Sequence, residues 1–476
     1  MDSTSPTPHD SSGLHDLTYG YFELLAARPA YERAEQFYSG TMDEVYSSPQ
    51  VARMLAKFGL HDLEVFNFSH IPVDVVADKL HLNQVTTEDE SIDLLLDELR
   101  DYNDLDEEFP ILLRNTCKFG DAYLFVWPVA DENGTVTNVK MRCKDPRTTR
   151  LFYSDEDPMV KHFAIQSWEE GAKATLTVRA NLYYADRVER YEHKGKVPQD
   201  PKRAKWALYE ADGLPGIMPH DFGQVPFFHY RTTRQYGTPE HLNAYGPQSG
   251  INKLITSHLA TVDYQSFPQR YALTDPTADR SGSQGNDWDE EHPEDGGDPE
   301  RAVHSQLDSS PAAMWDLSGY KSVGQFQSAD PDAFMKPLDR YIKAMAQVTQ
   351  IPMHAFDDRA GDAMTGASRR EANETLYDRV ESRQRTFGAT HKRAFEFALF
   401  LYDEEADVSV KWKPVRKIED SDAIPLIQMK RDLGVPDDVL LAEIGYDSAD
   451  IDAWMSERST AIPAEPIDVK GPAVAE

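Results

Sequence analysis

Two helices parted by a short charged break constrain this chain more than any other stretch. Asp332–Thr349 reads as one helix, Ile351–Gly366 as the break, and Ala367–Tyr402 as a second, much longer helix. Pro352 cannot extend a helix, and Gly361 and Gly366 take up backbone angles that other residues avoid, so the two halves stay separate. The tip of the break is charged: Asp357-Asp358-Arg359-Ala360-Gly361-Asp362. On the second helix Ala372, Leu376, Val380, Phe387, Ala394, Ala398 and Leu401 recur mostly at three, four or seven residues and draw one apolar stripe. Between them lie Arg369, Arg370, Glu371, Glu374, Asp378, Arg379, Glu381, Arg383 and Arg385. Thirty-six residues at about 1.5 Å each make a strut of roughly 54 Å.

The chain around this strut is long enough for a sizeable core, and it is acidic. Its 476 residues hold 49 Lys and Arg against 82 Asp and Glu, a net charge of -33. Such a balance argues against a protein that wraps nucleic acid through a basic surface. It suits one that must keep nucleic acid from sticking, and it equally serves plain solubility. Cys117 and Cys143 are the only cysteines, too few for a disulfide framework or a zinc site, which fits a reducing compartment. The start, Met1-Asp2-Ser3-Thr4-Ser5-Pro6, carries no signal-peptide pattern, and runs such as Tyr123–Ala130 and Phe397–Tyr402 are too short to span a bilayer, so no membrane partner is expected.

Taken in order, the pattern predicts an α+β chain. Residues 1–13 form a polar, disordered lead. Helices follow at Leu14–Ala30, Pro49–Phe58, Ile71–Leu82, Ser91–Tyr102 and Phe109–Lys118. Ala122–Val129 is an apolar strand whose return, through Val136, Val139 and Met141, follows Asn133-Gly134, a strong hairpin signal. Further strands are expected at His162–Trp168, Ala174–Tyr184, Arg187–Tyr191, Trp206–Ala211 and Val225–Tyr230, with nothing that suggests a parallel βαβ sheet. Glu240–Ser266 is helical and stops at Pro268. Asp275–Arg301 is acidic, low in complexity and expected to be mobile. Beyond the strut, Val408–Val415 alternates as a strand, and Ser421–Arg431, Pro436–Ile444 and Ser448–Arg458 form a helical tail before a frayed end with Pro463, Pro466 and Pro472.

Motifs that carry chemistry are missing. Gly361-Asp362-Ala363-Met364-Thr365-Gly366-Ala367-Ser368 has the glycine spacing of a phosphate-binding loop, but Ala367 stands where the lysine must be. There is no HExxH, GxSxG or GxGxxG. The 275–301 cluster lacks the alternating ligand pattern of a calcium loop. His241, His258 and His391 read as packing or surface residues, and Asp357 with Asp358 makes no glycosidase pair. No catalytic residue, metal ligand or cofactor is therefore expected.

The organisation is more telling than the motifs. A helix leads out of the α+β body, a small module follows, and a second helix leads back. That order suggests an antiparallel stalk with a knob at its end. Its modest apolar stripe needs a neighbour, and copies side by side in a closed ring would supply one.

In this order the chain resembles the tailed-bacteriophage portal proteins, of the SPP1-like group found in long-tailed phages. The resemblance covers about residues 20–450 and rests on six stretches. Asn67-Phe68-Ser69-His70-Ile71-Pro72-Val73-Asp74-Val75-Val76-Ala77-Asp78-Lys79-Leu80 is similar to an early family helix, Lys118-Phe119-Gly120-Asp121-Ala122-Tyr123-Leu124 to a strand entry, and Val225-Pro226-Phe227 to the strand before the first stem helix. Phe267-Pro268-Gln269-Arg270 follows that helix. Thr365-Gly366-Ala367-Ser368-Arg369-Arg370-Glu371-Ala372, the most specific stretch, is similar to the start of the family's long helix, and Arg379–Gly388 continues its register.

The resemblance implies a portal fold with residues 14–239 as the first part of a wing, 240–266 and 330–350 as two stem helices, and 267–329 as a clip with an acidic mobile insert. Residues 351–366 would be a tunnel loop, 367–415 the long helix and wing return strand, 416–458 a crown, and 459–476 a flexible tail. It also implies a dodecameric ring at one capsid vertex, through which double-stranded DNA is packaged and ejected. The partners would be further copies of the chain, the terminase large subunit, a head–tail adaptor, and the major capsid and scaffolding proteins. The location would be the virion, and the host cytoplasm during assembly. The work of DNA movement would come from a separate ATPase.

Two departures are visible. The 275–301 insert is long and acidic for a clip, and the loop tip carries three Asp against one Arg, so it offers no cationic grip on phosphate. Asp357, Asp358 and Asp362 are therefore expected to face the channel as an acidic collar, with Arg359 making an intersubunit pair or a light phosphate touch. The sparse cations Lys336, Arg340 and Lys343 on the second stem helix are expected to line the channel. The competing readings are a carboxylate-dependent hydrolase and another virion connector.

Overall fold

The computed structural model describes residues 10–42, 66–131, 133–171, 176–195, 205–210, 213–233, 235–266, 270–274, 320–325, 335–357, 366–416, 420–444, 451 and 454–456. The expected helix Pro49–Phe58 and the acidic insert 275–301 lie outside these residues, as does most of the expected helix Ser448–Arg458. The chain divides into two compact units. One comprises Met1–Met42, Asn67–Gly246 and Ala344–Glu476; the other comprises Asp43–Phe66 and Pro247–Lys343.

The first unit is layered. Helix α1 (Asp10–Ser39) runs nine residues past the expected end at Ala30. Pro29 invites a stop, but Tyr31, Ala34 and Phe37 beyond it are buried, and that burial carries the helix on. Next come α2 (Ile71–Ala77), β1 (Leu82–Thr86), α3 (Glu90–Asn103) and α4 (Leu105–Phe119). The apolar face expected over Ile71–Leu82 is buried at Val73, Val76, Ala77 and Leu80, but the helix ends at Ala77 and Leu82 opens a strand.

A three-stranded antiparallel sheet follows, in the order β10 (Phe227–Arg231), β2 (Asp121–Ala130), β3 (Val136–Lys144). The expected β2–β3 hairpin forms, with Gly134 at φ +85°. Its turn is held by Asp131, whose carboxylate accepts the backbone N–H groups of Asn133 and Thr135 at 2.8 and 2.9 Å.

The larger sheet has six strands: β4 (Thr149–Tyr153), β5 (Lys161–Glu170), β6 (Thr177–Tyr183), β7 (Arg187–Lys194) and β8 (Ala207–Leu208) in that order, with β9 (Ile217–Pro219) also on β7. Every pairing is antiparallel. Strand residues alternate between two cores, as the period of a strand demands. Phe163 and Ile165 of β5 pack with Leu17, Tyr21 and Leu24 of α1. Ala164, between them, belongs to the opposite face with Tyr123, Val225 and Phe227.

Helix α7 (Gly366–Leu401) packs on the smaller sheet, and β13 (Ser409–Trp412) returns to pair with β1. The apolar stripe of α7 is buried at Leu376, Val380, Phe387, Ala394, Ala398 and Leu401. Ala372 departs from the expectation and is exposed, as are most of the described residues from Ser368 to Thr375. Two short helices, α8 (Asp420–Asp432) and α9 (Asp437–Ile444), complete the unit.

The second unit holds most of helix α5 (Tyr245–Ser266), a two-stranded antiparallel sheet of β11 (Arg270–Thr274) and β12 (Tyr320–Gln325), and the first part of helix α6 (Met335–Thr349). Gln248 on α5 is buried and donates to the Phe66 carbonyl at 2.6 Å and to Asn252 Oδ1 at 2.8 Å.

Candidate nucleic-acid channel

Helices α5 and α6 lie side by side. Asn243, in the turn that opens α5, donates to the Val348 carbonyl at 3.4 Å. Seven residues further on, a Cβ at Gly250 would sit 2.6 Å from the Tyr341 ring, seven residues earlier on α6. Those two contacts make the helices antiparallel. A side chain at Gly250 would meet the Tyr341 ring, so a glycine there lets the two helices come close.

On α6 the residue types separate by face. Met345, Ala346 and Thr349 are buried. Lys336, Arg340 and Lys343, at spacings of four and three, share the opposite, exposed side with Gln347. Asp339 is also exposed beside them. The three cations predicted from sequence are thus brought into one stripe. Lys253 on α5 is a fourth exposed cation, which the sequence reading did not single out. As a lone lysine in a helix of 22 residues it gives no pattern to find.

The break begins at Gln350, whose φ of +56° ends α6 in the left-handed region. Pro352 leads into a short turn, Met353–Ala355, and Asp357 donates its backbone N–H to the Met353 carbonyl at 3.1 Å with its side chain exposed. Asp358, Arg359 and Asp362 lie outside the described residues.

Within the first unit, α7 supplies two arginines that reach the segments on either side of α5 and α6. Arg383 Nε donates to Glu240 Oε1 at 2.6 Å, and its terminal nitrogen to the Thr232 carbonyl at 2.5 Å. Arg379 donates to the Thr349 carbonyl at 2.9 Å and to Gln350 Oε1 at 2.8 Å, and lies 3.8 Å from the other oxygen of Glu240. The Glu240 carboxylate is only 6% exposed, so this ion pair is largely shielded from solvent. The Thr349 carbonyl is one of the last of its helix, an acceptor without a partner along the helix, and a guanidinium suits it.

Glu240 is delivered by a close backbone approach. A Cβ on Gly237 would lie 1.9 Å from the Gly120 carbonyl, and Gly120 itself is at φ +88°. Thr232 N–H reaches the Gly120 carbonyl at 3.0 Å, and Glu240 N–H the Cys117 carbonyl at 2.9 Å. Asp121, the residue after Gly120, anchors the same loop: its carboxylate accepts from Gly237 N–H at 2.7 Å, His229 Nε2 at 2.8 Å and the Tyr31 hydroxyl at 2.8 Å. The Tyr153 hydroxyl donates to His229 Nδ1 at 2.8 Å, which fixes the tautomer with the proton on Nε2. Burial would raise the Asp121 carboxyl, but the hydrogen bonds from His229, Gly237 and Tyr31 hold it below the usual range. Burial pushes His229 below its ordinary value.

Asp121 and His229 are 1% and 2% exposed, so this carboxylate–imidazole pair faces the core rather than a substrate cleft. Among the described residues no group of three His, Cys, Asp or Glu is placed to hold a metal ion. Arg379, Arg383 and Glu240 escaped the sequence reading because their partners are far away in the chain or are backbone carbonyls.

Comparison with known proteins bears on the same elements. Residues 61–289 match the family described as phage portal protein, SPP1 Gp6-like. No curated protein matches the chain. Among solved structures it is similar to a chain of the "Neck of native GTA particle computed with C12 symmetry", at 14% identity over 84% of this chain and 94% of that one, with a TM-score of 0.41. It is also similar to a chain of the "Virion of native gene transfer agent (GTA) particle", at 15% identity over 87% and 94%, with a TM-score of 0.38. Over residues 61–289, which run from before α2 through α5, the chain is thus similar to the SPP1 Gp6-like phage portal proteins.

Proposed function

We propose that this chain is a portal protein, that it forms a closed dodecameric ring at one capsid vertex, and that double-stranded DNA enters and leaves the head through its axis. The observation that carries the reading is the split of α6, with Met345, Ala346 and Thr349 buried and Lys336, Arg340 and Lys343 aligned on the opposite, exposed side. In a chain of net charge -33, one sparse basic stripe on an exposed helix face suits light, sequence-independent contact with phosphates. Duplex DNA carries one charge per about 1.7 Å, so a wall that paired every phosphate would hold the DNA fast. Sparse cations among carboxylates let it slide. Asp357, Asp358 and Asp362 then act as an acidic collar around the DNA, with Arg359 in an intersubunit pair or a light phosphate contact.

The ring is a passage and a docking platform, and a separate ATPase does the work. Its partners are the terminase large subunit, the head–tail adaptor, and the major capsid and scaffolding proteins. Its place is the virion neck, after assembly in the host cytoplasm. Negative-stain electron microscopy with native mass measurement tests the reading. Rings of about a dozen subunits with an open axis are expected; a monomer at every concentration would end the proposal.

A further inference from the structure

The arginines of α7 join four segments that are distant in sequence. Arg383 binds the end of the body strand at Thr232 and the approach to the first stem helix at Glu240. Arg379 binds the last turn of the second stem helix at Thr349, and Gln350 just before the loop. Glu240 lies between the two guanidinium groups. The clamp also lies where the burial of α7 begins. Among the described residues from Ser368 to Thr375 none is buried, whereas Leu376 and Val380, flanking Arg379, are fully so. A guanidinium can bridge two acceptors in a fixed plane, which a lysine cannot.

We infer that Arg379 and Arg383 are positioning residues that tether the bases of both stem helices and the root of the loop to the long helix, so that DNA passage depends on them. The functional half of the inference rests on the portal reading; the tether itself does not. Loosening it frees the segment Ile351–Asp357, whose backbone is otherwise held by short-range bonds such as Ile351 N–H to the Ala346 carbonyl at 3.2 Å and Phe356 N–H to the Met353 carbonyl at 2.9 Å.

The test combines hydrogen exchange with DNA packaging on the full chain. Arg379→Met should speed amide exchange over residues 351–357 by about tenfold, the equivalent of one charged hydrogen bond, while the 121–144 hairpin stays protected. DNA per head should fall in parallel although rings still assemble. Arg379→Lys, which keeps the charge but not the fork, should recover only part of both signals. Gln350→Leu removes a single contact from an exposed position and serves if Arg379→Met does not fold; a smaller rise over the same residues is expected. Unchanged exchange there in a folded variant overturns the tether. Faster exchange with normal DNA content overturns the positioning role. Wild-type rings that pass no DNA would sink the portal reading instead, and the exchange result would stand without it.

Discussion

His391 is fully buried on α7, with the rings of Phe109, Tyr230 and Trp412 at 4.7, 5.0 and 5.6 Å. Its Nδ1 shares a hydrogen bond with the Tyr230 hydroxyl at 2.9 Å. Burial pushes its pKa down to about 3, and that of His241 to about 4. The ordinary value is 6.5, so between pH 6.5 and about 4 the unfolded chain takes up protons that the folded chain refuses. Stability therefore rises with pH across that window and is lost as pH falls, by up to roughly 1 kcal/mol per pH unit for each imidazole. Asp121, held below the usual carboxylate range, acts in the same direction at lower pH: its contribution is present above 3.8 and fades below it. The urea midpoint should be lower at pH 5 than at pH 7.5, and His391→Gln, which can still hydrogen-bond to Tyr230, should narrow the gap. Equal midpoints at the two pH values would mean that these histidines titrate as they do in water.

At the scale of elements, α6 makes the sharpest prediction. Its cations are exposed while Met345 and Ala346 on the other side are buried, so the two sides should respond differently. Replacing Lys336, Arg340 and Lys343 by Gln should move stability by no more than about 0.5 kcal/mol per site. Met345→Ala should cost roughly 2–5 kcal/mol. Denaturation midpoints of the two variants compare them directly; a large loss in the triple variant would mean that the stripe is structural.

Some elements were plain in the sequence. The long helix was legible to within one residue at each end, because Pro352 and the glycines bound it and the stripe from Leu376 to Leu401 is long. β4, at Thr149–Tyr153, was not, because five residues that are almost all buried lack the alternation of a half-exposed strand. β1 was hidden because the helical spacing from Val73 to Leu80 runs straight into Leu82. At the candidate site the α6 stripe was visible as a spacing of four and three. The clamp was not, since Glu240 and Arg383 are 143 positions apart and two of the acceptors are carbonyls. Gly120-Asp121 stood out as a motif, but that its carboxylate anchors the loop ahead of the stem helix is a tertiary fact.

The whole molecule poses an electrostatic problem that salt can test. Every copy carries -33, so copies brought side by side repel unless counter-ions screen them. The screening length falls from about 30 Å at 0.01 M salt to about 8 Å at 0.15 M. Ring formation should therefore strengthen as salt is raised, with sizing under native conditions moving from smaller species toward the full ring. The proposed contact between the α6 stripe and DNA should have the opposite sign, because it would release counter-ions and weaken with salt. A crosslink from Arg340 to duplex threaded through the ring should thus fade over the same range in which the ring is consolidated. Two opposed slopes in one titration separate assembly from DNA contact. If both rose with salt, the contact with DNA would not be electrostatic and the stripe would lose its assigned role; if both fell, the ring itself would be held by charge pairs.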